Sequence, residues 1–195
     1  MTFARVRTRP AGVFLAVVAT ALVAWLLATP SSEAGEPFAD RAPSLSDRAE
    51  VLDLLARYGQ YFDQHEAQAW AGLFTPDGEL SFPTAATPGA PRYTVKGRDA
   101  LLAFASRPAT PNVTGIHFPG PSVLVMAGPG HIKARTPVAV GEVRNDQLQG
   151  ATFNGYGVYE DDIVKTRAGW RFAKRTADSY GAKPISPEFM TMPRF

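Results

Sequence analysis

Apolar residues recur at three- and four-residue spacing from Val51 to Phe62. Val51, Leu54, Leu55, Tyr58 and Phe62 form one stripe, which predicts an amphipathic helix. Ser44 or Ser46 caps it, and Asp47 and Glu50 fall in its first turn, where a carboxylate meets the positive end of the helix dipole. Ala67, Trp70, Ala71 and Phe74 stay in phase and predict a second, short helix. Thr75-Pro76-Asp77-Gly78 reads as a turn, and Glu79 to Phe82 as a short strand. Prolines 83, 88 and 91 mark a loop; Tyr93-Thr94-Val95 is another short strand. Gly97-Arg98-Asp99 opens a third helix with Leu101, Leu102 and Phe104 as its apolar residues.

Beyond Pro111 the texture changes. Long strands are expected at 112–126, 131–143, 151–166 and 170–178, with turns at Gly128-Pro129-Gly130, Asn145-Asp146 and Ala168-Gly169. Helices first and antiparallel strands afterwards predict an α+β fold. A strongly curved sheet wrapped over one long N-terminal helix encloses more space than side chains fill, so an apolar pocket is expected.

The N-terminus has a different character. Arg5, Arg7 and Arg9 precede an uncharged, apolar run from Ala11 to Thr29, and Ser32-Glu33-Ala34 before Gly35 offers a small-x-small cleavage site. This is the order of a secretory signal, or of a membrane anchor at the shortest spanning length. Residues 1–34 are therefore expected to export the domain, secreted, periplasmic or held at the membrane through this segment alone. Residues 35–43 are linker-like, 44–180 form the folded domain, and 181–195 form a tail. The net charge of +2 arises from 20 basic and 18 acidic residues, and the basic excess sits in the leader. The pI near 9 is then no nucleic-acid footprint.

The absence of cysteine excludes disulfides, thiolate metal sites and cysteine nucleophiles. His65, His117 and His131 are the only imidazoles, and their spacing suggests no metal centre. No metal and no cofactor are expected.

Three segments resemble the SnoaL-like branch of the nuclear-transport-factor-2-like cone-fold superfamily. The first runs from Asp47 to Tyr58, continues through Tyr61-Phe62-Asp63, and adds Trp70, Leu73, Phe74, Asp77 and Gly78. The second is Gly97-Arg98-Asp99-Ala100-Leu101; the third is Gly169-Trp170-Arg171-Phe172-Ala173 after the strand 159–165. The resemblance implies a cone-shaped sheet around the N-terminal helix. Its nearest pattern is that of scytalone dehydratase and related dehydratases, which carry an aspartate at the end of the first helix and a histidine on the first long strand. Asp63 and His117 match those positions. Phe62 stands where the dehydratase has a tyrosine, with Tyr58 and Tyr61 nearby, and Glu160 or Asn154 takes the place of its pocket asparagine.

The resemblance implies a cofactor-independent dehydratase or isomerase acting on a small hydrophobic or polycyclic substrate. A histidine tied to a carboxylate serves as base and then acid, because its pKa lies near neutrality and the carboxylate fixes its tautomer. Tyr58, on the inward stripe, or Tyr61 beside it would polarise a carbonyl oxygen. Phe62, Trp70, Phe82, Asn154 and Glu160 are the expected substrate-binding residues. The direction of Glu160 depends on strand parity: if Tyr159 points outward, Glu160 points in. The tail is expected to close over the pocket or to pack in a dimer. A non-catalytic exported protein that binds a hydrophobic ligand, and an accessory subunit on the same cone, are the competing expectations.

Overall fold

The computed structural model describes residues 41–85, 87, 89–108, 110–144, 151–179 and 185–190, except for the side chains of Asn154 and Ser179. The leader, most of the linker, the Asn145-Asp146 turn and the rest of the tail lie outside the described residues.

Helix α1 (Leu45–Asp63) begins as the sequence requires. The Ser44 hydroxyl accepts the Asp47 N–H at 3.1 Å and donates to the Asp47 carboxylate at 2.8 Å, a reciprocal cap. Asp47 also accepts from Lys165 Nζ at 2.6 Å and Trp170 Nε1 at 3.2 Å, tying the start of α1 to both sides of the Ala168-Gly169 turn. The predicted stripe faces inward: Val51, Leu54, Leu55 and Tyr58 are buried. Helix α2 (Ala67–Ala71) packs beside it and helix α3 (Arg98–Ala105) packs on α2, burying Trp70, Ala71 and Leu101.

Seven strands form one mixed sheet among the described residues: β1 (Phe74–Pro83), β2 (Arg92–Lys96), β3 (Val113–Pro119), β4 (Val123–Gly128), β5 (His131–Arg144), β6 (Ala151–Thr166) and β7 (Gly169–Ser179). The order is β2-β1-β7-β6-β5-β3, with β4 also on β5; only β1 and β7 run parallel. The sheet is not closed. Its inner face carries Ile132, Ala134, Thr136 and Val138 of β5, each at most 4% exposed, and α1 lies against this face.

Two expected elements are corrected. The single strand 112–126 is two strands, β3 and β4, because Pro119-Gly120-Pro121 interrupts the ladder and both halves pair with β5. Thr75–Gly78 is no turn between elements. It lies inside β1, where the register with β7 shifts between Phe74 and Glu79.

Candidate active site

Asp63 is the last residue of α1, and the chain stops the helix there in a defined way. The His65 N–H donates to the Phe62 carbonyl at 3.1 Å and the Glu66 N–H to the Tyr61 carbonyl at 2.8 Å, with His65 at φ 59°. This is the left-handed C-terminal cap, which leaves Asp63 in the final turn pointing at β3. A carboxylate gains nothing from the negative end of a helix dipole. Asp63 is compensated by His117: one oxygen accepts the His117 backbone N–H at 2.8 Å, the other the ring Nδ1–H at 2.5 Å.

The grip on both groups fixes the ring. Because a carboxylate accepts at Nδ1, the proton resides there and Nε2 presents its lone pair. The His117 side chain is 17% exposed and that of Asp63 10%, so the pair is sheltered yet reachable. Tyr58 and Phe62 meet the imidazole edge-on, with ring centroids 6.2 and 5.7 Å away. Behind Phe62 an aromatic series continues through Trp70 at 5.4 Å and Phe104 at 5.9 Å, and Phe104 leads to Phe82 at 5.8 Å. Trp70 is fully buried, and its Nε1 is the one buried side-chain polar atom without a partner among the described residues.

At the centre of the cone sits an ion pair. Arg175 of β7 donates twice to Asp161 of β6, both bonds 2.7 Å, with both side chains at most 1% exposed. The guanidinium carbon lies 4.0 Å from the Tyr58 ring centre, 4.3 Å from that of Tyr159 and 4.2 Å from that of Phe172. Burial pushes the Tyr58 hydroxyl up to about 12, with the Arg175 charge pulling the other way. Burial raises Tyr159 as well, and drives the Asp161 carboxyl upward against the pull of its guanidinium. Both phenols therefore keep their protons through the neutral range and can donate hydrogen bonds.

The remaining expected residues divide. Tyr61 does not join the pair: it stands two residues from Asp63, about 200° around the helix. Its hydroxyl accepts instead from Arg57 at 3.4 Å beside a surface cleft of about 440 Å³, between α1 and the β6–β7 hairpin. Glu160 is corrected too. Tyr159 and Asp161 point inward, so Glu160 lies on the opposite face, where it pairs with Arg135. Asn154 belongs to β6, but its side chain lies outside the described residues. The described part of the tail, residues 185–190, sits by β4, and Glu188 meets Lys133 at 3.5 Å on the face away from His117. That stretch is no lid over the pair. His65 is exposed, and His131 bonds Asp162 at 3.0 Å on the outer face. Among the described residues no cluster of three or more His, Asp or Glu side chains could hold a metal.

The SnoaL-like domain family matches residues 43–176, the span that builds this helix, sheet and buried centre. The chain belongs to that family. Among solved structures, ActVI-ORFA from Streptomyces coelicolor is 22% identical, with a TM-score of 0.58 over 68% of this chain and 96% of its own. An NTF2-like protein with a cystatin-like fold from Novosphingobium aromaticivorans is 24% identical, with a TM-score of 0.57 over 77% and 91%. A candidate scytalone dehydratase from the same organism is 18% identical, with a TM-score of 0.55 over 76% and 93%. At such identities the likeness establishes the NTF2-like cone. No curated protein matches the sequence.

In this SnoaL-like domain the sequence did not bring out Arg175, Asp161 or Tyr159 as a group. The acidic run 160–162 was the one visible signal, and it required the strand parity to be read. Arg175 had no such signal, because a bulge at Ala173 lets Phe172 and Arg175 face the same side.

Proposed function

We propose that this SnoaL-like protein is a cofactor-independent enzyme of the dehydratase or isomerase type, acting on a small hydrophobic, ring-bearing carbonyl compound. The observation that carries the reading is the 2.5 Å contact of Asp63 with His117 Nδ1, beside aromatic walls. The reading includes an apolar pocket at Nε2 and export by residues 1–34.

Nε2 takes a proton from the carbon next to the carbonyl, and that C–H electron pair moves into the carbon framework to make an enolate. Tyr58 donates its O–H to the developing oxyanion. The imidazolium, stabilised by Asp63, then gives the Nε2 proton to a hydroxyl on the adjacent carbon. The enolate pair re-forms the carbonyl and a carbon–carbon double bond as the C–O bond breaks and water leaves. Where no hydroxyl is available, the same proton returns to a different carbon and the outcome is isomerisation. Phe62 and Phe82 supply apolar contact, with Trp70 packed behind them.

The test is proton exchange in heavy water. The full chain is incubated with 1-tetralone, and deuterium entry next to the carbonyl is followed by NMR. Exchange is expected to exceed the buffer rate and to fall at least about a hundredfold in His117→Ala, the usual worth of a positioned base. Equal rates with the wild type, the variant and buffer would sink the enzymatic reading. A hydrophobic ligand carried through purification unchanged by both proteins would then establish a binding protein instead.

A further inference from the structure

The Arg175–Asp161 pair is the most deeply buried charged group of the described structure, and the acid/base step does not use it directly. Removing both charges from water costs several kcal/mol per ion, repaid only when the geometry is good. Here it is: a bidentate fork of two 2.7 Å bonds, with three aromatic rings around the guanidinium. For stability alone, an apolar filling of equal volume serves as well or better. A fixed cation at the centre of an otherwise aromatic interior therefore points to a polar task.

Its position says which one. Tyr58 is the ring shared by the two centres, 6.2 Å from His117 on one side and stacked on Arg175 on the other. Tyr159 closes the arrangement, 5.6 Å from Tyr58 and 4.3 Å from the guanidinium carbon. The titratable groups facing Tyr58 are Arg175 from β7, Tyr159 and Asp161 from β6, His117 from β3, and Asp63 on α1 itself. The Arg175 guanidinium is the one permanent positive charge among them.

We propose that Arg175, held by Asp161, positions Tyr58 and Tyr159 as an oxygen-binding site for the carbonyl or phenol oxygen of an aromatic ligand. Arg175 acts through Tyr58 and is a positioning residue. It clamps the ring and polarises the hydroxyl, so that an oxygen accepting from Tyr58 is stabilised more as it gains negative charge. This rests on the function proposed above for the choice of ligand class, but its own test needs no turnover.

The probe is 4-nitrophenol, whose phenolate absorbs in the visible. Its apparent pKa is measured by absorbance with the full-length protein in excess, and nitrobenzene serves as the neutral control. The wild type is expected to bind phenolate about tenfold more tightly than phenol, seen as a drop of about one pH unit in the bound probe. Arg175→Met/Asp161→Leu removes both charges together and should abolish that drop while changing nitrobenzene affinity less than about twofold. Tyr58→Phe, which keeps the ring stack, should lose the drop too and covers the case in which the double variant does not fold. His117→Ala should leave most of the drop in place; this separates the oxygen site from the acid/base reading. A wild type that shows no drop, or a drop undiminished in the double variant or in Tyr58→Phe, overturns the proposal.

Discussion

Replacing Gly59 by alanine sets two effects of opposite sign against each other. Within a helix, alanine is favoured over glycine by up to about 1 kcal/mol. Gly59, however, is where α1 touches β3. A Cβ built there falls 2.8 Å from His117 Cβ, 3.6 Å from its Cγ and 3.7 Å from its carbonyl oxygen. Carbon atoms pack at about 3.5–4.0 Å, so from 2.8 Å helix and strand must part by about 0.7–1.2 Å. The imidazole cannot swing aside, because Asp63 on the same helix holds it by two bonds. Overpacking of this kind costs about 1–3 kcal/mol, which exceeds the gain in helix propensity. Gly59→Ala should therefore be destabilised by about 1 kcal/mol in urea unfolding, whereas Gln60→Ala, exposed on the same helix, should be neutral or slightly stabilised. The same displacement stretches the 2.5 Å contact, and deuterium exchange into 1-tetralone should fall at least about tenfold. NMR of the ring Nδ1–H proton reads the contact directly and should show it weakened. A Gly59→Ala protein more stable than the wild type, with that resonance unmoved, would refute the close approach.

His65→Gly should stabilise the fold by about 0.5–1 kcal/mol, since glycine adopts the left-handed φ of 59° at the end of α1 without strain; urea midpoints measure it. Tyr58 has a folded pKa of about 12 against an ordinary value of 10.0, so its contribution is complete below pH 10 and is lost as pH climbs toward 12. In Tyr58→Phe the alkaline fall of the unfolding free energy, measured in urea, should be shallower across that window, by up to about 1.4 kcal/mol per pH unit; an unchanged slope would mean that the hydroxyl is not sequestered. Asp47 behaves in the opposite sense. Hydrogen bonds from Lys165 and Ser44 hold its carboxyl below 3.8, so its contribution is present above that pH and vanishes as pH falls through the folded value. Asp47→Asn should cost about 1 kcal/mol at pH 7, and urea midpoints of the two proteins should converge in strong acid.

The helical half of the domain was legible because its signals are local. The stripe from Val51 to Phe62, the serine cap and the acidic first turn each depend on neighbours within four residues. Position 63 and position 117 could be paired in advance only through the family pattern, since nothing local says that the last turn of α1 meets β3. Tyr61 shows the limit of that help. Adjacency in sequence suggested membership of the site, and helical rotation put it on the other side of α1.

The sheet interior was less legible, for a physical reason. Alternation assigns faces only while the ladder stays in register, and a single extra residue reverses every later assignment. β7 has such a residue at Ala173, between the Phe172–Ile163 and Lys174–Asp162 pairs. Read by strict alternation, Phe172 and Arg175 face opposite ways, and an arginine in a half-buried strand is assigned to solvent. With the bulge, both point inward and the guanidinium lies 4.2 Å from the Phe172 ring centre. The same place on β1 shifts register between Phe74 and Glu79, so the two parallel strands accommodate the distortion together. A bulge that exists to carry a charge into an aromatic interior is worth its disruption of the ladder only if that charge has work to do there. On the proposal that Arg175 positions Tyr58, the distortion at Ala173 and the oxygen site share one explanation.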